Sequence, residues 1–195
     1  TLKAAKDRAE ISSADISKIV NNLKNLPAIL NQYLGNINSL KDISYKLSTT
    51  SDVLFLGRGL MYPLALEGAL KLKEISYIHA EGYASGELKH GPIALIDDSV
   101  PVIILAPYDN LFEKSISNMQ EVIARKANVI VISDNDGLRE AGLKSETSIE
   151  MPKADPLLAP LIYALPIQLL AYFTAVFKGT DVDQPRNLAK SVTVE

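Results

Sequence analysis

The chain has 195 residues, no cysteine, two histidines and a formal net charge of -3. This length suffices for one domain with a sizeable core, and the charge excludes a strongly basic nucleic-acid-binding protein. Without cysteine there is no disulfide framework, thiolate nucleophile or cysteine metal site, and two histidines are too few for a His-rich one. We predict neither a metal nor another cofactor.

Residues 1–50 are predicted to form helices that connect to the main domain. Pro27 is expected to split them, because proline removes a backbone donor and restricts the residue before it. Thr1–Ala14 is charged and lacks the apolar segment of a signal peptide, so a cytoplasmic location is predicted. The apolar positions alternate spacings of three and four: Ile16, Ile19, Leu23, Leu26, Leu30 and Tyr33.

The next stretch begins with Val53–Leu56, an apolar run of the length and type of a buried parallel strand. It ends at the glycine turn 57–59, and the apolar spacing then becomes helical over Leu60–Tyr77. A second short strand is predicted to follow. His79 lies in its apolar-flanked run and is predicted to be a packed strand histidine.

Three charged residues of the predicted helix share one face. Glu67, Lys71 and Glu74 stand at i, i+4 and i+7, which places them in one narrow stripe. One interpretation is a solvated face with an ordinary Glu-to-Lys pair. The flanking Leu70 and Ile75 instead favour a cleft, where partly buried charges are candidates for acid–base chemistry.

Two further residues, His90 and Lys190, are candidate functional residues with less support from their sequence context. His90 precedes Gly91-Pro92 and is expected on a loop, where a histidine is either a proton shuttle or simply solvated. Lys190 lies in an aperiodic C-terminal tail, and its surroundings alone give it no special role.

The remaining chain alternates strands with helices. This alternation predicts a parallel sheet covered on both faces. Buried strands are predicted at Val100–Ala106 and Asn128–Ser133, an edge strand at Ser148–Met151, an amphipathic helix at Leu111–Lys126 and a turn at residues 134–137.

The segment Leu157–Phe177 contains no charged residue and is long enough to span a bilayer. Two internal prolines, Pro160 and Pro166, and several polar side chains instead favour a helix buried in a core or between subunits. We predict no membrane partner.

Three motifs carry a family resemblance: GRGLMYPLALEGALKLKEISYIHAEGY, GELKHGP and the terminal GTDVDQPRNLAKSVTVE. With these, the chain resembles the C-terminal part of the glutamine–fructose-6-phosphate aminotransferase (isomerizing) family, also called glucosamine-6-phosphate synthases. The likeness spans residues 52–195. It implies that the chain is the second sugar-isomerase lobe of a larger enzyme, which also carries a glutaminase domain.

The resemblance implies a flavodoxin-like, three-layer α/β fold with a five-stranded parallel sheet. Residues 1–50 would be the linker between two isomerase lobes, 51–179 the lobe itself, and 180–195 an active-site tail.

The resemblance also implies residue roles. Glu74 would move a proton between C1 and C2 of the sugar, assisted by Lys71 and Glu67. His90 would help to open the sugar ring and would come from the neighbouring subunit. Lys190 would attack the C2 carbonyl, while Ala189, Lys190 and Glu74 would contact the substrate.

These roles suit the chemistry, because enolisation needs a carboxylate near the α-hydrogen and an amine can activate a carbonyl. The implied substrate is fructose 6-phosphate and the implied product glucosamine 6-phosphate. In this family a hydroxyl-rich loop of the first lobe holds the phosphate. The turns after the strands here offer almost no hydroxyls, so we expect this lobe alone to be inactive.

The position of Glu74 also predicts a homodimer. Glu74 lies 15 residues beyond Gly59 in the sequence, which is ~20 Å of helix from the glycine turn. The stripe is therefore expected to face another lobe or subunit rather than the usual crevice at the strand tips.

Two other functions remain open from the sequence. A non-catalytic sugar-phosphate sensor could share the fold, although it would not need Glu74, Lys71 and His90 together. A dinucleotide-binding site would rest on Gly57-Arg58-Gly59, but Tyr62 replaces the third glycine of that pattern.

Overall fold

The computed structural model describes residues 1–143 and 147–188. In chain order the elements are α1 (Leu2–Asp7), α2 (Ser13–Leu34), α3 (Asn38–Leu47), β1 (Asp52–Gly57), α4 (Met61–Ser76), β2 (His79–Ala84), two 3-10 helices (Ser85–His90 and Pro92–Leu95), β3 (Pro101–Leu105), α5 (Phe112–Ile123), β4 (Asn128–Asp134), α6 (Asn135–Glu140), β5 (Ser148–Met151) and α7 (Ala159–Lys178).

The five strands form one parallel sheet in the order β2-β1-β3-β4-β5. This confirms the predicted three-layer α/β fold and places β5 at an edge, as expected. The predicted turn at residues 134–137 is instead the start of α6, where the Asp134 side chain accepts a hydrogen bond from the backbone N–H of Gly137.

Alternate strand residues face opposite layers and define two cores. Val53 and Phe55 pack with α3, α4 and α7, whereas Leu54 and Leu56 pack with α5. Strand side chains point alternately to the two faces, so a strand buried on both faces is apolar throughout. The sheet thus fixes α4 on one face and α5 on the other.

The helices before β1 differ from the prediction at Pro27. α2 runs without a break through Pro27, so the predicted split is wrong. Proline's φ is compatible with a helix, and the carbonyl it leaves unpaired belongs to Leu23, an exposed residue that water can solvate. α3 also joins the main core, where Leu40 and Leu47 are fully buried.

The uncharged segment forms α7, the helix that passes a length-and-composition test for a membrane span among the described residues. It packs against α3 and α4. Pro166, Ile167 and Leu170 are buried in the core. One face of α7 is thus part of the core, whereas Leu161, Tyr172 and Phe177 are exposed.

His79 is not a packed strand residue, contrary to the prediction. It is the first residue of the edge strand β2, and 63% of its side chain is exposed. Its Nδ1 lies 2.9 Å from Asp52 Oδ1 and its Nε2 lies 3.6 Å from Glu81 Oε1. An edge position leaves this side chain without a covering element, which the apolar neighbours in the sequence did not indicate.

Asp52 gives the fold a small acid-sensitive contact. A hydrogen bond from the Ser51 hydroxyl, followed by the bond to His79, holds the pKa of Asp52 below its usual range. The resulting stabilisation is present above the unfolded-state pKa near ~4 and is lost as the pH falls through the lower folded value. Asp52→Asn should therefore flatten the loss of stability below about pH 4, by at most ~0.5 kcal/mol for such an exposed pair.

Urea unfolding at a series of pH values would measure this effect. Asp98→Asn, in an exposed turn, is the matched control and should retain the wild-type acid profile. An unchanged profile in Asp52→Asn would contradict the assignment.

Candidate active site

Helix α4 places the three charged residues of the stripe in contact. Lys71 Nζ lies 2.9 Å from Glu74 Oε2 and 3.9 Å from Glu67 Oε1. The side chains are half-buried, with 36% of Lys71, 35% of Glu67 and 27% of Glu74 exposed. The structure thus brings together the predicted base, Glu74, and its two predicted assistants, Lys71 and Glu67.

The charged neighbours of Lys71, the central residue of the stripe, change its pKa. The hydrogen bond to Glu74 raises the pKa of Lys71, burial acts in the opposite direction, and Glu67 adds a smaller increase. Lys71 is therefore a cation at neutral pH and a hydrogen-bond donor to Glu74. Such a donor orients the Glu74 carboxylate, the group to which the resemblance assigns the proton transfer.

His90 ends the first 3-10 helix, after β2. It is 72% exposed, and its Nδ1 lies 2.7 Å from Glu87 Oε2. The next residue, Gly91, has a φ of 147°, a conformation that side-chain-bearing residues rarely adopt. Leu88 anchors the segment from inside, since it is fully buried in the core beneath α5.

The fold separates His90 from Glu74. α4 follows the carboxyl end of β1 and ends just before the amino end of β2, so Glu74 lies at the amino edge of the sheet. His90 follows the carboxyl end of the same strand. A six-residue strand spans roughly 20 Å, and among the described residues no hydrogen bond or ion pair joins His90 to the stripe.

The C-terminal tail returns to the end of α4. The Thr180 hydroxyl donates to the Ile75 carbonyl at 2.6 Å, and the Arg186 backbone N–H donates to the Tyr77 hydroxyl at 2.8 Å. The Arg186 guanidinium also stacks on the Tyr77 ring, 4.1 Å from its centroid. The predicted residues Ala189 and Lys190 lie outside the described residues.

Sequence reasoning missed Tyr77 and Arg186. Tyr77 closes α4 in the left-handed conformation, with φ at 61°. This unusual cap turns its ring towards a partner that lies 109 residues away in the sequence. The sequence offered no signal for this cap or its partner, because the left-handed conformation of Tyr77 is visible only in the structure. Among the described residues, no cluster of three or more histidine and carboxylate side chains is arranged to hold a metal ion.

Comparison with known protein families gives a match over most of the fold. The SIS domain family matches residues 46–177. The chain belongs to this family. The match begins within α3, before β1, and ends one residue before the end of α7, so it includes the whole sheet. The SIS domain therefore contains the charged stripe and His90.

The curated relatives of this SIS domain include aminotransferases. The chain is 58% identical over 191 residues to the glutamine–fructose-6-phosphate aminotransferase (isomerizing) of Zymomonas mobilis, covering 98% of the chain and 32% of that protein. It is also 58% identical to the enzyme of the same name from Bartonella quintana, covering 100% of the chain and again 32% of the relative. The chain thus spans about a third of the length of these relatives.

Solved structures give the same fold. The C-terminal domain of glucosamine-fructose-6-phosphate aminotransferase from Francisella tularensis superposes with a TM-score of 0.88 at 43% identity, covering 92% of this chain and 50% of that one. Glucosamine-6-phosphate deaminase from Thermotoga maritima superposes with a TM-score of 0.58 at 24% identity, covering 83% of this chain and 48% of that one. The second likeness concerns the fold alone.

Proposed function

We propose that this SIS domain is the C-terminal isomerase lobe of a glutamine–fructose-6-phosphate aminotransferase. In this proposal the full-length protein makes glucosamine 6-phosphate from fructose 6-phosphate and ammonia released from glutamine by a separate glutaminase domain. The relatives that match nearly all of the chain carry this name. A cytoplasmic location is part of the same proposal.

The observation that carries the proposal is the docked tail. Arg186 is held against Tyr77, which lies one helical turn from Glu74. Lys190 follows Arg186 by four positions in the sequence, a reach of at most about 14 Å. We propose that the Lys190 amine reaches the Glu74 carboxylate, so that a carbonyl bound between them would meet both an amine and a base.

We propose the following roles for the residues of this site. Lys190 attacks the C2 carbonyl of the sugar to form an imine with loss of water, and ammonia then displaces the lysine from C2. Ala189 is proposed to contact the substrate. Glu74 removes a proton from C1 and returns it at C2, while Lys71 and Glu67 orient the carboxylate. The proposed proton transfer uses these side chains and requires neither a metal ion nor another cofactor.

His90 completes the site from another copy of the chain. It lies across the sheet from Glu74 in its own chain, so it can act on the same sugar only if a second subunit presents it. We therefore propose a homodimer that brings the His90 segment of one copy to the α4 stripe of the other. Sedimentation of the full-length protein at micromolar concentration should give a dimer, and a monomer would contradict this part.

The direct test is a product assay with both forms of the protein. The full-length protein should form glucosamine 6-phosphate from fructose 6-phosphate and glutamine. The 195-residue chain alone should not, because its strand-end turns offer few hydroxyls for a phosphate. Absence of product from the full-length protein would contradict the proposed function. Turnover by the isolated chain would contradict the expectation that this lobe alone is inactive.

A further inference from the structure

A partly buried polar network ties the His90 segment to the rest of the fold. It begins at Arg58, in the turn that follows β1. The Arg58 Nε and Nη2 groups both donate to Asn118 Oδ1 of α5, at 3.2 and 3.0 Å. Asn118 is only 6% exposed, so this amide has little water to replace a lost donor.

The network continues from Asn118 to the 3-10 helix. The Asn118 Nδ2 group donates to Glu121 Oε2 at 3.5 Å, and Lys89 Nζ lies 2.9 Å from Glu121 Oε1. Glu121 is 22% exposed and is the better-protected member of this ion pair. The network therefore ends one residue before His90.

The guanidinium also packs directly on the start of the segment. A Cβ at Gly86 would lie 3.3 Å from Arg58 Nη2, which is closer than most real side-chain contacts. The buried Ser85 hydroxyl, at the start of the His90 segment, has no hydrogen-bond partner within the described structure. Ser85 therefore does not tie the segment to the fold through a side-chain hydrogen bond. Arg58 thus contacts the segment at Gly86 and, through α5, at Lys89.

We propose that Arg58 is a positioning residue for His90, acting through Asn118, Glu121 and Lys89. The planar guanidinium places two donors on one oxygen and fixes the amide, which in turn fixes Glu121. Lysine at position 58 would keep the charge but lose this fork. The inference rests on the proposed function for its catalytic consequence, but the restraint on the segment is a property of the fold.

The experiment compares Arg58→Lys with a matched control, Arg125→Lys, in the full-length protein. Arg125 lies just after α5 and is exposed, and within residues 1–143 and 147–188 its side chain donates to the Glu121 backbone carbonyl alone. Hydrogen exchange should become at least about tenfold faster in residues 85–91 of Arg58→Lys and stay unchanged in β1, β3 and β4. Arg125→Lys should match wild type throughout. Unchanged exchange in residues 85–91, or an equal increase across the sheet, would overturn the proposal.

A double-mutant cycle gives the second readout. Arg58→Lys should lower kcat/KM by about tenfold in the wild-type background and by less than twofold when His90 is already alanine. A loss that is equal in both backgrounds would overturn the positioning role, since a general effect on folding does not depend on His90. If the full-length protein makes no product at all, the proposed function fails while the exchange experiment still tests the restraint.

Discussion

Replacing Glu74 with glutamine in the full-length protein should lower kcat by about 10²- to 10⁴-fold, the usual contribution of a general base. The amide can still accept the hydrogen bond from Lys71, whose Nζ now lies 2.9 Å from the Glu74 carboxylate. The local structure should therefore persist while the capacity to accept a proton is lost. Steady-state formation of glucosamine 6-phosphate measures kcat, and KM should change little because the substitution is nearly isosteric.

The matched control is Glu113→Gln, at an exposed carboxylate in the first turn of α5. Its kcat should stay within about twofold of wild type, because a surface charge at this position contributes little. Binding of fructose 6-phosphate to Glu74→Gln, measured by titration calorimetry, distinguishes a catalyst from a sensor. Retention of more than a tenth of the wild-type kcat in Glu74→Gln would contradict the assignment of Glu74 as the base.

Gly57→Ala should be the most damaging single change to the fold. A Cβ at position 57 would lie 2.2 Å from the Met61 carbonyl oxygen and 2.8 Å from the Tyr62 backbone nitrogen. Both are backbone atoms of the first turn of α4, so relief requires the whole helix to move away from β1. We expect a loss of at least about 3 kcal/mol in the free energy of unfolding, beyond the usual range for overpacking.

Urea unfolding of the 195-residue chain measures this loss, with Gly35→Ala as the matched control. Gly35 caps α2 with a φ of -69°, a conformation that alanine adopts freely. Its added Cβ would lie 3.3 Å from the Gln32 carbonyl oxygen, far looser than the 2.2 Å contact at position 57, so that variant should change stability by less than about 1 kcal/mol. A Gly57→Ala chain within about 1 kcal/mol of wild type would show that α4 is not held against the end of β1. Because α4 carries the charged stripe, a folded Gly57→Ala enzyme should also lose activity.

The close contact at Gly57 also explains why the turn after β1 contains glycine, and this explanation does not require a bound dinucleotide. The first glycine admits the start of α4, and Arg58 turns towards Asn118 rather than towards an open crevice. Packing thus accounts for the glycine at the start of the dinucleotide pattern. The third glycine of the pattern is absent from the sequence, where Tyr62 takes its place.

The elements that sequence predicted well are those with a strong local pattern. Val53 to Leu56 is apolar at every position, as a strand buried on both faces must be. The helical spacing of the next segment placed Glu67, Lys71 and Glu74 on one face, and the structure confirms that they are in contact.

The features that sequence analysis missed have no local pattern, because they depend on contacts between residues that are far apart in the chain. His79 has apolar neighbours, but its exposure follows from the position of β2 at the sheet edge. Arg58 and Asn118 are 60 residues apart, and Arg186 and Tyr77 are 109 apart. No periodicity relates such pairs, so only the folded chain reveals the restraint on the His90 segment and the docking of the tail.

The most direct test follows the C1 hydrogens of fructose 6-phosphate by proton NMR, with glutamine and the full-length protein in D₂O. The wild-type protein should break one C1–H bond, and that hydrogen should appear at C2 or in the solvent. Glu74→Gln should bind the sugar yet leave both C1 hydrogens in place. Cleavage of the C1–H bond by Glu74→Gln at the wild-type rate would show that another group is the base.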